Sequence, residues 1–195
     1  MQTPLDQLKQ QLDRIEQTLE ASQLGFIQTD KIKIVYCNRA NGGLWYGLEI
    51  SSSATLIPKI IEAESLRCRL QGIAVRTATR EGEECEKFSL YVQGDRRYVL
   101  ESGWSTVKGK NSFAQGLVWA IASMTPEQLK RPVVLTPRPG TKSSVLFCRI
   151  YQDGESIYPE RTEDLDLEVL LRLAISNLEA ASGRSYREKD QESER

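Results

Sequence analysis

The 195-residue sequence predicts a mainly β protein flanked by helices, and three observations carry that expectation. Over residues 66–158, apolar and polar side chains alternate with the period of two of half-buried strands, and turn signals punctuate the runs. Leu5, Leu8, Leu12, Ile15 and Leu19 recur at alternating spacings of three and four, the a/d seam of an amphipathic helix. Leu167, Leu171, Ala174 and Leu178 trace a second helical stripe, widened by Leu170, Leu173 and Ile175.

Taken in order, Thr3-Pro4 supplies an N-cap and a proline at the first helical position, which opens a helix expected over residues 1–23. Residues 24–65 are expected to form a β-rich extension and connector. Gly25-Phe26-Ile27 and residues 32–36 suggest a hairpin around Thr29-Asp30, residues 44–50 a strand, and residues 51–58 a connector. From Leu66 the alternation becomes regular: Leu66, Cys68 and Leu70 oppose Arg67, Arg69 and Gln71, and Gly72 marks a bulge or bend. Residues 80–83 are expected as a loop, and Phe88, Leu90 and Val92 as the core side of the next strand.

Gly94-Asp95 then reads as a two-residue hairpin turn, with residues 96–101 returning. That turn sets Tyr91 opposite Tyr98 and Gln93 opposite Arg96. Ser89 and Leu100 share the tyrosine face, while Phe88, Leu90, Val92 and Val99 take the other. Ser112 and Gln115 form a capping-box pattern before a helix whose face is Phe113, Leu117, Ala120, Ile121 and Met124, and Thr125-Pro126-Glu127-Gln128 is a second cap. Strands are expected over residues 132–136 and 145–151, with Asp153-Gly154 turning the chain into residues 155–158. The last helix is expected over residues 164–181, stopped by Gly183, and residues 184–195, charged and without aliphatic side chains, are expected to be disordered.

Three strands, a helix and two strands make the layout β-β-β-α-β-β. The expected fold is therefore an OB-type five-stranded barrel over residues 66–158, with the helix plugging it between strands three and four. An α+β sandwich with the same strand count is the competing layout.

Composition narrows the chemistry. Histidine is absent, which excludes Ser-His-Asp and Cys-His catalysis within the chain and HExxH metal sites. Cys37, Cys68, Cys85 and Cys148 form no CxxC and suit reduced, structural thiols in a cytoplasmic protein, so no metal or cofactor is expected. No apolar run approaches the ~18 residues of a membrane span, and the polar N-terminus lacks a signal-peptide core. Gly140-Thr141-Lys142-Ser143 does not meet the GxxxxGK[ST] requirement of a phosphate loop. Glu81, Glu83, Glu84 and Glu86 read as a solvated loop. The acidic residues around Asp164 and Asp166 suit a helix N-terminus.

Net charge is −1 overall but unevenly spread. Residues 1–66 carry six basic and eight acidic groups, residues 67–150 fourteen and seven, and residues 151–195 six and twelve. A basic middle implies a polyanion-binding surface, or neutralisation by the acidic end. Aromatic rings with arginines between them suit single-stranded nucleic acid, because bases stack on rings while cations follow the phosphates. Tyr91 and Tyr98 are the candidate stacking residues. Arg67, Arg69, Arg76, Arg96, Lys108, Lys110, Arg138 and Lys142 are the candidate phosphate contacts.

The segments Leu70-Gln71-Gly72-Ile73, Lys87-Phe88-Ser89-Leu90-Tyr91-Val92 and Tyr98-Val99-Leu100-Glu101-Ser102-Gly103 give the middle of the chain its resemblance to OB-fold single-stranded nucleic-acid-binding proteins. Pro132-Val133-Val134-Leu135 and Ile150-Tyr151-Gln152-Asp153-Gly154-Glu155 fit that family's fourth and fifth strands. The resemblance covers about half the chain. It implies sequence-tolerant, non-catalytic binding of single-stranded DNA or RNA in replication, recombination or mobile-element processes, and often an oligomer. Self-association is expected through the seam between Leu5 and Leu19 or the stripe between Leu167 and Leu178. The alternative function is a protein-interaction adaptor that docks through those leucine-rich helices.

Overall fold

The computed structural model describes residues 32–80, 82–107, 112–157 and 166–183. The expected first helix, the Gly25-Phe26-Ile27 strand and the 184–195 tail lie outside the described residues. The chain divides into two units, Met1–Lys31 and Ile32–Arg195, and the second contains everything described below.

Its strands are β1 (Lys33–Tyr36), β2 (Tyr46–Ile50), β3 (Leu56–Ile60), β4 (Leu66–Arg80), β5 (Glu83–Gln93), β6 (Arg97–Gly103), β7 (Val133–Pro139), β8 (Leu146–Gln152) and β9 (Glu155–Ile157). The helices are α1 (Ser112–Ser123), α2 (Pro126–Leu129) and α3 (Leu167–Ser182). The strands form one mixed sheet in the spatial order β3-β2-β1-β6-β5-β4-β7-β8-β9. β1 and β6 run parallel, and the other neighbours are antiparallel.

The 15-residue β4 serves two neighbourhoods. Residues 66–68 pair with β7 and residues 69–80 with β5, and the register shifts between Leu70 and Gly72. The glycine-marked bulge is thus where the alternation predicts it. One face of the sheet is the core: Cys68, Leu70 and Ile73 of β4 lie with Phe88, Leu90, Leu100, Leu135 and Ile150, all buried. Phe113, Leu117 and Ile121 of α1 complete that cluster. α1 packs against β8 and α3, and α3 packs against β4. The Asn177 side chain of α3 donates to the Ala122 and Met124 carbonyls, both at 3.1 Å, and so satisfies acceptors that the end of α1 leaves open.

α3 starts at the Asp166 N-cap and stops at Gly183, whose φ of 66° is the left-handed geometry glycine tolerates. Its Leu167, Leu170, Ala174 and Leu178 are buried. The apolar stripe therefore faces its own domain, and only Val169 and Leu173 remain as large exposed apolar groups on it. The Thr125–Gln128 capping box forms as expected. Gln115 instead reaches back to the Ser105 and Val107 carbonyls at 2.7 and 2.9 Å. The Asp153-Gly154 turn has φ of 53° and 89°, the two positive values that a two-residue hairpin turn needs.

Four expectations need correction. The order β-β-β-α-β-β is realised by β4, β5, β6, α1, β7 and β8, but these strands do not close on themselves. β6 takes β1 as its second neighbour and β8 takes β9, which leaves an open sheet. Next, the β-rich extension expected over residues 24–65 contributes β1, β2 and β3 to that same sheet. Residues 56–58, expected as the end of a connector, belong instead to β3, Pro58 included. Hydrogen bonds from Ile61 N–H to the Trp45 carbonyl and from Ser51 N–H to the Thr55 carbonyl fix the phase of the β2–β3 ladder. By period two the Leu48/Pro58 pair is then a non-hydrogen-bonded one, so the N–H that proline lacks would point to the free edge.

The acidic run does not loop either: β5 starts at Glu83, so Glu83, Glu84 and Glu86 pair with Arg80, Thr79 and Thr77. Finally, the β5–β6 connection has three residues, Gly94-Asp95-Arg96, closed by Gly94 N–H on the Arg96 carbonyl at 2.9 Å. Gln93 pairs with Arg97, Tyr91 with Val99, and Val92 with Tyr98. A one-residue slip exchanges the faces of a strand. Tyr98 is consequently on the core side, half-buried, and Tyr91 is on the other. Leu100 is fully buried rather than outward.

Leu100→Ala tests this register. It is expected to cost ~2–5 kcal/mol in urea denaturation, as core leucine truncations do. A loss below ~1 kcal/mol would place Leu100 on the outward face of a two-residue hairpin.

Candidate nucleic-acid interface

The helices cover one face of the sheet, and ladder registers define what the opposite face carries. Cross-strand partners share a face, so the β4–β7–β8 part reads in rows. Arg67, Val134 and Tyr151 form one row, Thr136 and Arg149 the next, and Arg138 and Phe147 a third. Arg67, Arg138, Phe147 and Arg149 are exposed and Tyr151 is half-buried. Neighbouring strands are ~4.8 Å apart, so these side chains form one compact patch. Through Arg69, Gln93 and Arg97 the same face continues across β4, β5 and β6, and the Tyr91–Gly72 pair lies one row on.

Counter-charges are unevenly distributed over this surface. Lys87 pairs with Glu101 at 3.1 Å, Lys130 with Glu127 at 2.6 Å, and Arg131 with Asp153 at 2.6 Å. Among the described residues no carboxylate lies in ion-pair range of Arg67, Arg97, Arg138 or Arg149. The positive field is felt locally: hydrogen bonding from the Arg149 guanidinium is the largest influence on the Tyr151 phenol, burial opposes it, and Arg138 adds to Arg149, with the net effect of lowering its pKa.

The β7–β8 loop flanks the patch and is built around Gly140. A Cβ there would come within 2.6 Å of Val145 and 3.1 Å of Phe147, so only glycine lets the loop fold this tightly beside Phe147. Arg39, which follows β1, donates to the Gly140 carbonyl at 3.2 Å and the Lys142 carbonyl at 3.0 Å. The chain after β1 thereby reaches the β7–β8 loop, although β1 and β8 do not pair.

Each sequence-predicted site residue can now be placed. Arg67 and Arg138 are on the exposed face, and Lys142 is exposed in the loop beside it. Arg69 shares the face, but its guanidinium donates to the Lys130 carbonyl at 2.6 Å, beside a cleft of about 240 Å3 at the ends of α2 and α3. Arg76 donates to the Tyr91 hydroxyl at 3.2 Å, so these two stand together. Arg96 is at the hairpin tip, 3.5 Å from Asp95, and Arg97 takes its place on the face. Tyr98 points to the core side and donates to Asp95 at 2.6 Å. Lys108 and Lys110 lie outside the described residues. Tyr91 and Tyr98 therefore do not form a shared stacking surface.

Sequence reasoning missed Arg149, Tyr151 and Phe147. Their signal is the alternation of Phe147, Arg149 and Tyr151 with Leu146, Cys148 and Ile150, an outward basic-aromatic face written into one strand. No group of three or more potential metal ligands occurs among the described residues. The buried thiols are unsuited to chemistry: burial raises the Cys37 pKa well above its ordinary value and pushes Cys68 up to about 12. No helix among the described residues is long and apolar enough to cross a membrane. Comparison with protein-family models, with curated proteins and with solved structures returns no match.

Two measurements check this description. Tyr151 is expected to ionise below a free tyrosine in an NMR pH titration, and Arg149→Ala is expected to move it upward; an unmoved Tyr151 would separate the two side chains. Alkylation of the native protein is expected to modify exposed Cys85 first and to reach Cys37 and Cys68 only after unfolding. Equal rates would contradict their burial.

Proposed function

We propose that this chain is a non-catalytic module that binds single-stranded nucleic acid across the exposed face of β4, β7 and β8. The observation that carries the reading is the set Arg67, Arg138 and Arg149, exposed and without carboxylate partners among the described residues, around Tyr151 and Phe147. Arginines track phosphates, and the two rings offer bases a stacking surface that tolerates any sequence, at ~1–3 kcal/mol per base. Arg97 extends the track across β6, and Arg76 with Tyr91 extends it along the β4–β5 hairpin. Lys142 is a further contact from the loop. A ligand role for a basic patch of this kind is consistent with replication, recombination or mobile-element processes in the cytoplasm.

The same reading treats residues 66–157 as an opened relative of the OB barrel. Its support is the strand order, the bent first strand shared between two neighbours, and the helix between third and fourth strands. OB barrels are themselves partly open. The adaptor alternative in its helix-docking form draws less support, because α3 buries Leu167, Leu170, Ala174 and Leu178 within the domain.

Fluorescence anisotropy with labelled oligo(dT) and oligo(U) over a salt series tests the proposal. Affinity is expected to fall log-linearly with salt, at ~0.7 in slope per phosphate contacted on a single strand. Arg138→Ala with Arg149→Ala is expected to flatten that slope by ~1.4. Tyr151→Ala is expected to cost ~1–3 kcal/mol of binding without changing the circular dichroism spectrum. Absence of binding to either oligonucleotide at low salt sinks the proposal, and unchanged affinity of the tyrosine variant removes stacking from it.

A further inference from the structure

The outer face changes character toward its other end. The rows there are Ile34, Leu48 and Pro58, flanked on one side by Ile50 and Leu56 and on the other by the Tyr36–Tyr46 pair with Ile60. The two tyrosine rings stack with centroids 5.3 Å apart, which confirms that β1 and β2 present these residues to one side. None of the aliphatic side chains is covered: Ile34 is 42% exposed, Leu48 40%, Ile50 76%, Leu56 59% and Ile60 47%. Together they expose on the order of 500 Å2 of apolar surface in one uncharged patch, at the upper end of what monomers show.

The reverse side of the same hairpin is different. There Glu49 and Lys59 form a solvated ion pair at 2.8 Å. β2 and β3 thus make an arm with one apolar face and one mixed face, where Ile57 opposite Glu49 is the exposed aliphatic group. A two-stranded hairpin of this kind is marginal in water by itself.

We propose that this apolar face is a self-association surface, on which a second copy of the chain packs sheet against sheet. Three arguments fix the occupant and the mode. The patch carries no charge that would select a different partner, whereas an identical patch matches it in chemistry and extent. Two such faces would bury about 1,000 Å2 in total, the threshold at which a specific interface holds. Addition of a further strand at the β3 edge is blocked at its centre, where Pro58 has no N–H to offer, so association is face to face and not edge to edge. Aliphatic side chains of two such faces interdigitate at the ~10 Å spacing of packed sheets. This surface is separate from α3 and from the arginine patch.

Sedimentation velocity on the full chain, from about 1 to 100 µM, gives the test. Wild type is expected to sediment as a dimer at the upper concentrations. Ile50→Lys with Leu56→Lys is expected to sediment as a monomer throughout, with a thermal melt lowered by only a few degrees, since both side chains are exposed and the two lysines face each other across the β2–β3 pair. A wild-type monomer at every concentration overturns the proposal. So does a double variant that remains a dimer, which would put the contact elsewhere, including on a leucine-rich helix. If the double variant fails to fold, Ile50→Ser with Leu56→Ser replaces it, and a dimerisation constant weakened less than tenfold overturns the proposal in the same way.

Discussion

The bend in β4 at Leu70 and Gly72 is the constraint from which the remaining architecture follows. A straight strand offers its two edges to two neighbours along its whole length. By shifting register at the bulge, β4 gives its first residues to β7 and the rest to β5. The sheet can then curl around α1, so that β8 on one side and β4 with α3 on the other enclose the same helix. Without the bend, Leu135 and Ile150 would not meet Phe88 and Leu90 in one core. The basic rows also depend on it, because it sets Arg67 beside Val134 and Tyr151 while Arg69 continues the line toward Gln93 and Arg97.

Covering only one face of a nine-stranded sheet has a chemical consequence for the other. A face that meets water is free to vary, and here it varies in two directions. Toward β8 it gathers guanidinium groups from three strands at separations comparable with the ~8 Å Debye length, so they repel one another in the free protein. Such repulsion is a standing cost that a polyanion relieves. Toward β3 it gathers aliphatic groups, whose hydration is a cost that apolar contact relieves. The Lys87–Glu101 pair and the Tyr36–Tyr46 stack lie between the two regions, so each keeps its own character.

Much of this was legible in the sequence where a local rule coincides with the tertiary one. Gly72 interrupts an alternating run and does mark the bulge. Asp153-Gly154 is a turn because both residues tolerate positive φ. Gly183 ends its helix for the same reason. The misreadings arose where two local rules compete. Gly94-Asp95 is a good two-residue turn, yet Arg96 joins the loop, and that single residue exchanged Tyr98 and Arg96 for Val99 and Arg97 on the outer face. The buried position of Leu100 is what decides between them, and an aliphatic residue among tyrosines was the visible warning. Residues 51–58 read as a connector, whereas Pro58 fits a strand because β3 is at the edge of the sheet. The parallel pairing of β1 with β6 has no local signature, since neither strand records which distant edge it will meet.

That parallel pairing also sets a timetable. Lys33 pairs with Tyr98, so β1 has no template until the polypeptide has grown past β6. At ~5–20 residues per second, synthesis leaves β1 waiting for ~3–13 s, and β2 and β3 for somewhat less, with their Ile and Leu side chains uncovered. Contacts over such long loops are also the slow ones in folding. The proline in β3 and the brevity of β1 then act during biogenesis as much as in the finished molecule, by making these segments poor seeds for strand stacking between nascent chains.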